Sequence, residues 1–250
     1  MTKPTLLMKR FFPALALTLG LLFAVQPAAR AEEGGQLMAS GANIRDQASL
    51  QRGARLFFNY CVGCHSLKYL RYSRMADDLG LSEQQVMQNL NFTGAKFDEP
   101  VLSHMPADDA GKWFGKDPPD LSLEVSAKGA DWVYTYLNTF YLDPKSPIGW
   151  NNTTLPNAAM PFPLWELQGE QTAVMKPGSD EVEKLDLAHP GKLTPAQYQQ
   201  ATRDLVNFLE YVSEPAALQR HHYGIWVLLF LALFTLLAYL LKKEYWKDVH

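Results

Sequence analysis

The chain has 250 residues, a formal net charge of −3 and only two cysteines. The slightly acidic balance is the wrong sign for a nucleic-acid binder, and two cysteines cannot frame a disulfide-stapled domain. A hydrophobic share of 47% leaves room for a real core and for membrane segments besides.

The N-terminus reads as an export signal. Lys3, Lys9 and Arg10 precede an apolar stretch from Phe11 to Val25, and Ala29-Arg30-Ala31 has the small-residue spacing of a cleavage site. Residues 1–31 are therefore expected to be removed, and the polar run Glu32-Glu33-Gly34-Gly35 to open the mature chain.

A helix is predicted over Ser49 to Tyr60, with Leu50, Ala54, Phe57 and Phe58 apolar. It leads into Cys61-Val62-Gly63-Cys64-His65, a Cys-x-x-Cys-His motif, which is the attachment pattern for a c-type haem. The chemistry needs these residue types. Two thiols add to the haem vinyl groups, and the adjacent imidazole of His65 reaches the iron as proximal ligand. Both cysteines of the chain are consumed, so one covalent haem c is expected. A thioredoxin-like pair would want a βαβ context, and a zinc site would want a second Cys/His pair; neither is visible.

Further along, Ser82 with Gln85 three residues on is a capping box for a short helix. Ala130 to Phe140 is aromatic-rich and predicted helical. The stretches 91–129 and 143–193 are rich in Gly, Pro and Asn and, too long for simple connectors, are expected to be long loops that are functional or cover the cofactor. Thr194-Pro195-Ala196-Gln197 is a strong helix start, with a capping threonine, a proline at the first helical position and a reciprocal glutamine. Tyr198, Ala201, Leu205, Phe208, Leu209 and Val212 then mark one apolar face. Pro215 separates this helix from the last segment.

That segment, Tyr223 to Leu241, has no charge and no proline; its 19 residues reach about 28 Å as helix, enough to span a hydrocarbon core of about 30 Å. Tyr223, Trp226, Tyr239, Tyr245 and Trp246 sit where interfacial anchors would. Lys242, Lys243 and Lys247 favour a cytoplasmic C-terminus. His221 and His222 are read as interfacial rather than as a metal pair. The organisation is thus a signal peptide over 1–31, an outer domain over 32–222, a transmembrane helix over 223–241 in contact with lipid, and a tail over 242–250. Without the signal and the tail the outer domain keeps 16 basic against 24 acidic side chains, net −8, which suits a cationic partner.

An early helix entering Cys-x-x-Cys-His and a late helix with an apolar face resemble the class I cytochrome c plan, in which those two helices cross. Gly53 and Phe57 would then face Leu205, Phe208 and Leu209. A more specific likeness lies in Pro118-Pro119-Asp120-Leu121-Ser122, Gly129-Ala130-Asp131-Trp132-Val133-Tyr134, Pro156-Asn157-Ala158-Ala159-Met160-Pro161, Leu164-Trp165-Glu166-Leu167-Gln168-Gly169 and the C-terminal anchor. With these motifs the whole mature chain resembles the cytochrome c1 family, the haem subunits of cytochrome bc1 complexes, in its bacterial form. The fold expected is mainly α: a class I cytochrome c-like haem domain with long loops and one C-terminal transmembrane helix.

For the sixth iron ligand the candidates are Met38, Met75, Met87, Met105, Met160 and Met175. Met160 stands in a Pro/Asn-rich loop before Pro161 and Pro163, where prolines would hold the sulfur on the iron, and the family's ligand methionine falls at this position. Met105, before Pro106, is the alternative on chemistry alone; His104 would give a low-potential bis-histidine iron. The resemblance also implies that Pro118 and Pro119 contact the proximal side of the haem. In the family an arginine soon after that segment binds a haem propionate; Lys128 holds the place here and lacks the bidentate fork. Trp132 either reaches a propionate through its indole N–H or belongs to the core.

The resemblance implies electron transfer from the Rieske iron–sulfur protein to a cytochrome c, with cytochrome b as the membrane partner, in a dimeric complex of the bacterial inner membrane with the haem domain in the periplasm. The chain itself carries no base, nucleophile or substrate-pocket motif, so the enzyme would be the assembled quinol–cytochrome c reductase. Two other classes stand beside this one: a haem peroxidase or ligand sensor with an open iron, and an anchored c-type cytochrome of another respiratory complex.

Overall fold

A computed structural model describes residues 37–179 and 181–247. The expected signal peptide lies outside the described residues. The architecture is mainly helical, in the order α1 (Gln47–Tyr60), β1 (Leu67–Arg71), α2 (Tyr72–Leu79), α3 (Glu83–Asn89), β2 (Pro100–Val101), α4 (Ala107–Phe114), α5 (Glu124–Lys128), α6 (Ala130–Asn138), β3 (Phe140–Leu142), β4 (Trp150–Asn152), α7 (Trp165–Gln168), β5 (Gly169–Met175), β6 (Val182–Pro190), α8 (Pro195–Ser213) and α9 (Ala217–Tyr245).

Helix α1 starts two residues earlier than the apolar pattern suggests, because the Asp46 side chain accepts from Ser49 N and caps it. Helix α8 begins where the sequence places it: Thr194 accepts from Gln197 N, and Gln197 returns a bond to the Thr194 N–H. The two helices cross with Leu50, Ala54 and Phe57 of α1 buried against Leu205, Phe208 and Leu209 of α8. The crossing is close at Gly53, where a Cβ would lie 2.0 Å from the Asp204 carbonyl oxygen. The Phe57 and Phe208 rings meet beside it at 5.9 Å.

The crossing also holds a buried polar knot. Ser49 Oγ donates to Asp204 Oδ1 at 2.7 Å, Arg52 grips the same carboxylate through two nitrogens at 2.6 and 2.9 Å, and Asn207 Nδ2 donates to Ser49 Oγ at 2.9 Å. A carboxylate this deep needs that many donors, since an unpaired buried charge is costly.

The two expected loop stretches contain regular structure. Helices α4 and α5 lie within 91–129, and 143–193 contributes three strands of a four-stranded sheet ordered β4-β3-β5-β6. Strands β5 and β6 form an antiparallel hairpin from Gly169↔Pro190 to Met175↔Val182, with irregular register near both ends. Most of β6 is exposed, so the strand carries no inward-facing apolar row for a sequence pattern to reveal. Helix α6 stops at Asn138, and Phe140 belongs to β3.

Helix α9 carries the apolar run Tyr223–Tyr245, 23 residues with a mean hydropathy of 2.5 and none of it buried. It is long and apolar enough to cross a membrane, at about 35 Å for 1.5 Å per residue. Trp226 and Leu228, 66% and 69% exposed, would be poorly placed in water.

Candidate haem site

The end of α1 builds one wall of an apolar cavity. The helix closes with the Cys61 N–H on Phe57 O, and the chain then turns tightly, His65 N donating to Cys61 O at 2.8 Å and Cys64 N to the same oxygen at 3.0 Å. This turn brings Cys61, Cys64 and His65 to the same cavity. Burial pushes the Cys61 thiol up to about 12 and Cys64 also upward, so both are held as thiols.

His65 Nδ1 donates to the Pro119 carbonyl oxygen at 2.7 Å. The acceptor has no proton to give, which puts the hydrogen on Nδ1 and leaves the Nε2 lone pair for a ligand. Desolvation holds the imidazole below its usual range, despite the opposing pull of the Pro119 carbonyl and the Glu124 and Asp120 charges. The neutral ring is the form that binds a metal.

The Pro118–Ser122 segment is fastened to the chain just after the motif. Leu121 N donates to Ser66 O, Lys68 N to Asp120 Oδ2 and Tyr69 N to Ser122 Oγ. Asp120 Oδ1 also accepts from Ser122 N, an Asx turn that stiffens the corner. Asp120 and Ser122 are thus what keeps the Pro119 carbonyl on His65. Sequence reading assigned them no role; the Asp-x-Ser spacing was the available signal. Ser103 holds the other side, its hydroxyl donating to Gly63 O at 2.8 Å.

Met160 reaches the cavity from the loop after β4, together with Ala158, Pro161 and Pro163. Two buried asparagines tie this loop down. Asn152 Oδ1 accepts from Thr154 N and Leu155 N while its amide donates to Tyr136 O, and Asn151 Oδ1 accepts from Asn157 N. Asn157 takes a φ of +60°, a left-handed conformation that asparagine tolerates. Phe162 anchors the far side, stacked on Phe140 at 4.7 Å. Tyr136 Oη donates to Met160 Sδ at 3.7 Å, and burial raises that phenol well above its ordinary value.

Of the sequence-derived residues, Cys61, Cys64, His65, Pro118, Pro119, Trp132 and Met160 line one cavity, along with Leu205 and Leu209 of α8. Lys128 is not on its wall. Its ammonium lies over the Trp132 ring, 5.3 Å from the centroid, and Lys116 is the lysine among the lining residues. Met105 and His104 are also off the wall. Among the described residues no three His, Cys, Asp or Glu side chains cluster as a metal site.

The donor set fits a c-type haem. Two thiols, a neutral imidazole with its second nitrogen fixed and a thioether in a proline-stiffened loop share a cavity whose other walls are mostly carbon.

Comparison with known proteins agrees with this chemistry. A profile described as the Cytochrome C1 family matches residues 40–100 and 94–249. The chain is 49% identical over 241 residues to a protein named cytochrome c1 from Allochromatium vinosum, covering 94% of this chain and 99% of that one. It is 44% identical over 205 residues to a Nitrosomonas europaea protein named ammonia monooxygenase gamma subunit, covering 82% and 85%. A cytochrome c1 from Rhodospirillum rubrum is 29% identical over 264 residues, covering 92% and 95%.

Proposed function

The chain belongs to the cytochrome c1 family, and from that membership we propose that it is the electron-carrying haem subunit of a cytochrome bc1 complex, with one haem c attached through Cys61 and Cys64. The carrying observation is the single cavity that gathers Cys61, Cys64, His65 and Met160 in a chain that ends in an exposed apolar helix. When bound, the haem supplies a reversible one-electron couple. The residues do the rest. His65 and Met160, which share the cavity, would hold the iron from the protein side, and an iron with both ligands supplied by the chain would favour electron transfer over oxygen or peroxide chemistry. Pro119 fixes the tautomer of His65, and the Asn151–Asn152 pair fixes the loop of Met160. Pro118, Pro119 and Trp132 would pack against the macrocycle, and Lys116, which lines the cavity, would be available to a propionate.

In this reading the electron comes from the Rieske iron–sulfur protein and leaves to a cytochrome c. Cytochrome b receives helix α9 in the bilayer, the complex is dimeric, and quinol–cytochrome c reductase activity belongs to the assembly. Residues 1–31 are a cleaved signal, 32–222 stand in the periplasm of a bacterial cell and 242–250 face the cytoplasm across the inner membrane. A detergent extract purified through a tag on the C-terminus tests this: cytochrome b and a Rieske protein should co-purify with quinol–cytochrome c reductase activity. Recovery of the haem protein with a different set of redox subunits would sink the assignment.

A further inference from the structure

The wall of the haem cavity contains a hydroxyl whose hydrogen-bond partner is the sulfur of Met160. Tyr136 Oη lies 3.7 Å from Met160 Sδ. Thioether sulfur is large and a weak acceptor, so this separation is a hydrogen bond of its kind.

Both ends of that contact are fixed. The Tyr136 ring is stacked on Trp132 at 5.3 Å with an interplanar angle of 9°, and its other side meets Phe140 at 4.9 Å. Phe140 stacks on Phe162, two residues beyond Met160, and Phe162 meets Trp150 at 5.3 Å. One column of rings therefore runs from α6 into the loop that carries the sulfur. The backbone adds a second tie, since Asn152 Nδ2 donates to Tyr136 O at 2.8 Å while its Oδ1 holds the loop. A phenol seeking any partner in an apolar wall would not need its ring and its acceptor's loop locked by the same stack.

We propose that Tyr136 is a positioning residue for the sixth ligand: its hydroxyl donates to the Met160 sulfur, aims the free lone pair at the iron and draws electron density from the thioether. This rests on the haem reading and on Met160 as ligand. A sulfur that also accepts a hydrogen bond is a poorer donor to the metal. The oxidised iron needs that donation more than the reduced iron does, so the bond favours the reduced state and raises the potential. Tyr136 acts through Met160 and touches no reacting group of either electron partner.

The test is redox titration of the haem-loaded full chain carrying Tyr136→Phe, which keeps the ring column and removes only the hydroxyl. Tyr136→Leu serves if the phenylalanine variant does not accumulate. The haem-stained band should persist. The oxidised-to-reduced ratio at the parent's midpoint should rise about threefold, the scale of a weak hydrogen bond, and the long-wavelength sulfur-to-iron band of the oxidised protein should shift. An unchanged midpoint and band would overturn the proposal. Met160→Leu is run beside it. If that variant moves the potential and abolishes the band while Tyr136→Phe changes neither, only the tyrosine inference fails. If Met160→Leu also changes neither, Met160 is not the ligand, and the proposal falls with its premise.

Discussion

Gly53 of α1 and Asp204 of α8 approach so closely that a Cβ on the glycine would sit 2.0 Å from the aspartate's carbonyl oxygen. The obstacle is backbone, so no side-chain rotation relieves it. Gly53→Ala should force the helices apart and disturb the Ser49–Asp204–Arg52 knot, at a cost of about 2–4 kcal/mol. Gly111→Ala in α4 is the control: a Cβ there meets nothing within 4 Å, and helix propensity favours alanine by about 1 kcal/mol. Thermal unfolding of the haem-loaded variants should show a clear loss for Gly53→Ala and none for Gly111→Ala. Equal melting temperatures would mean that the crossing adjusts freely.

Haem attachment through Cys61 and Cys64 predicts survival of the cofactor through denaturation, because thioether bonds are covalent. A denaturing gel stained for haem should show one band at the size of the processed chain. A colourless band would remove the basis of the functional assignment. Cys61→Ser or Cys64→Ser should greatly reduce the yield of mature protein.

Glu210 has an Oε2 atom that is buried with no hydrogen-bond partner. Burial, and then the Asp131 charge, raise its carboxyl above the ordinary value. A raised acid is favoured protonated by the fold. Its contribution to stability is present below the unfolded-state value and is lost as pH rises through the folded-state one. At neutral pH the ionised group is therefore a cost, softened by its partial solvation. Glu210→Gln should be more stable than the parent at pH 7, and the difference should close as pH falls through the carboxylate range. A gap that widened in acid would contradict the shift.

The net charge of −8 over 32–222 predicts steering of a basic cytochrome c. The acidic candidates include Asp98, Glu99, Asp108 and Asp109, and the hairpin cluster of Asp180, Glu181, Glu183 and Asp186, of which Asp180 lies outside the described residues. Several are already neutralised: Glu181 pairs with Lys176 at 2.8 Å, Asp186 with Lys184 at 3.1 Å, and Asp109 with Lys112 at 3.1 Å. Glu183 is exposed and has no ion-pair partner among the described residues. Electron transfer to a basic cytochrome c should slow about tenfold as salt rises past the point where the Debye length falls to about 8 Å. Glu183→Gln should flatten that dependence more than Glu181→Gln, with the haem spectrum unchanged. A rate indifferent to salt would indicate an apolar contact or a tethered acceptor.

Features carried by neighbouring residues were legible in the sequence. Cys61-x-x-Cys64-His65 is contiguous, so its chemistry does not wait for the fold. The Thr194–Gln197 capping box spans four residues, and the apolar run after Tyr223 is a matter of length and side-chain type. The α1–α8 crossing was expected from the resemblance to the class I cytochrome c plan together with the apolar faces of the two helices.

Apart from that crossing, tertiary structure decided what joins distant segments. Six methionines follow the signal region, and chain folding brings Met160 into the cavity with His65, nearly a hundred positions earlier, because Asn151 and Asn152 tie down its loop. The Asp120 and Ser122 bonds that set the His65 tautomer use backbone donors, which no side-chain pattern encodes. Lys128, given a propionate role by resemblance, lies over the Trp132 ring, where a cation gains from the aromatic face. The β5–β6 hairpin escaped notice for the same reason that it forms: backbone pairing holds it, and a ribbon exposed on most of its surface shows no alternation of apolar and polar residues.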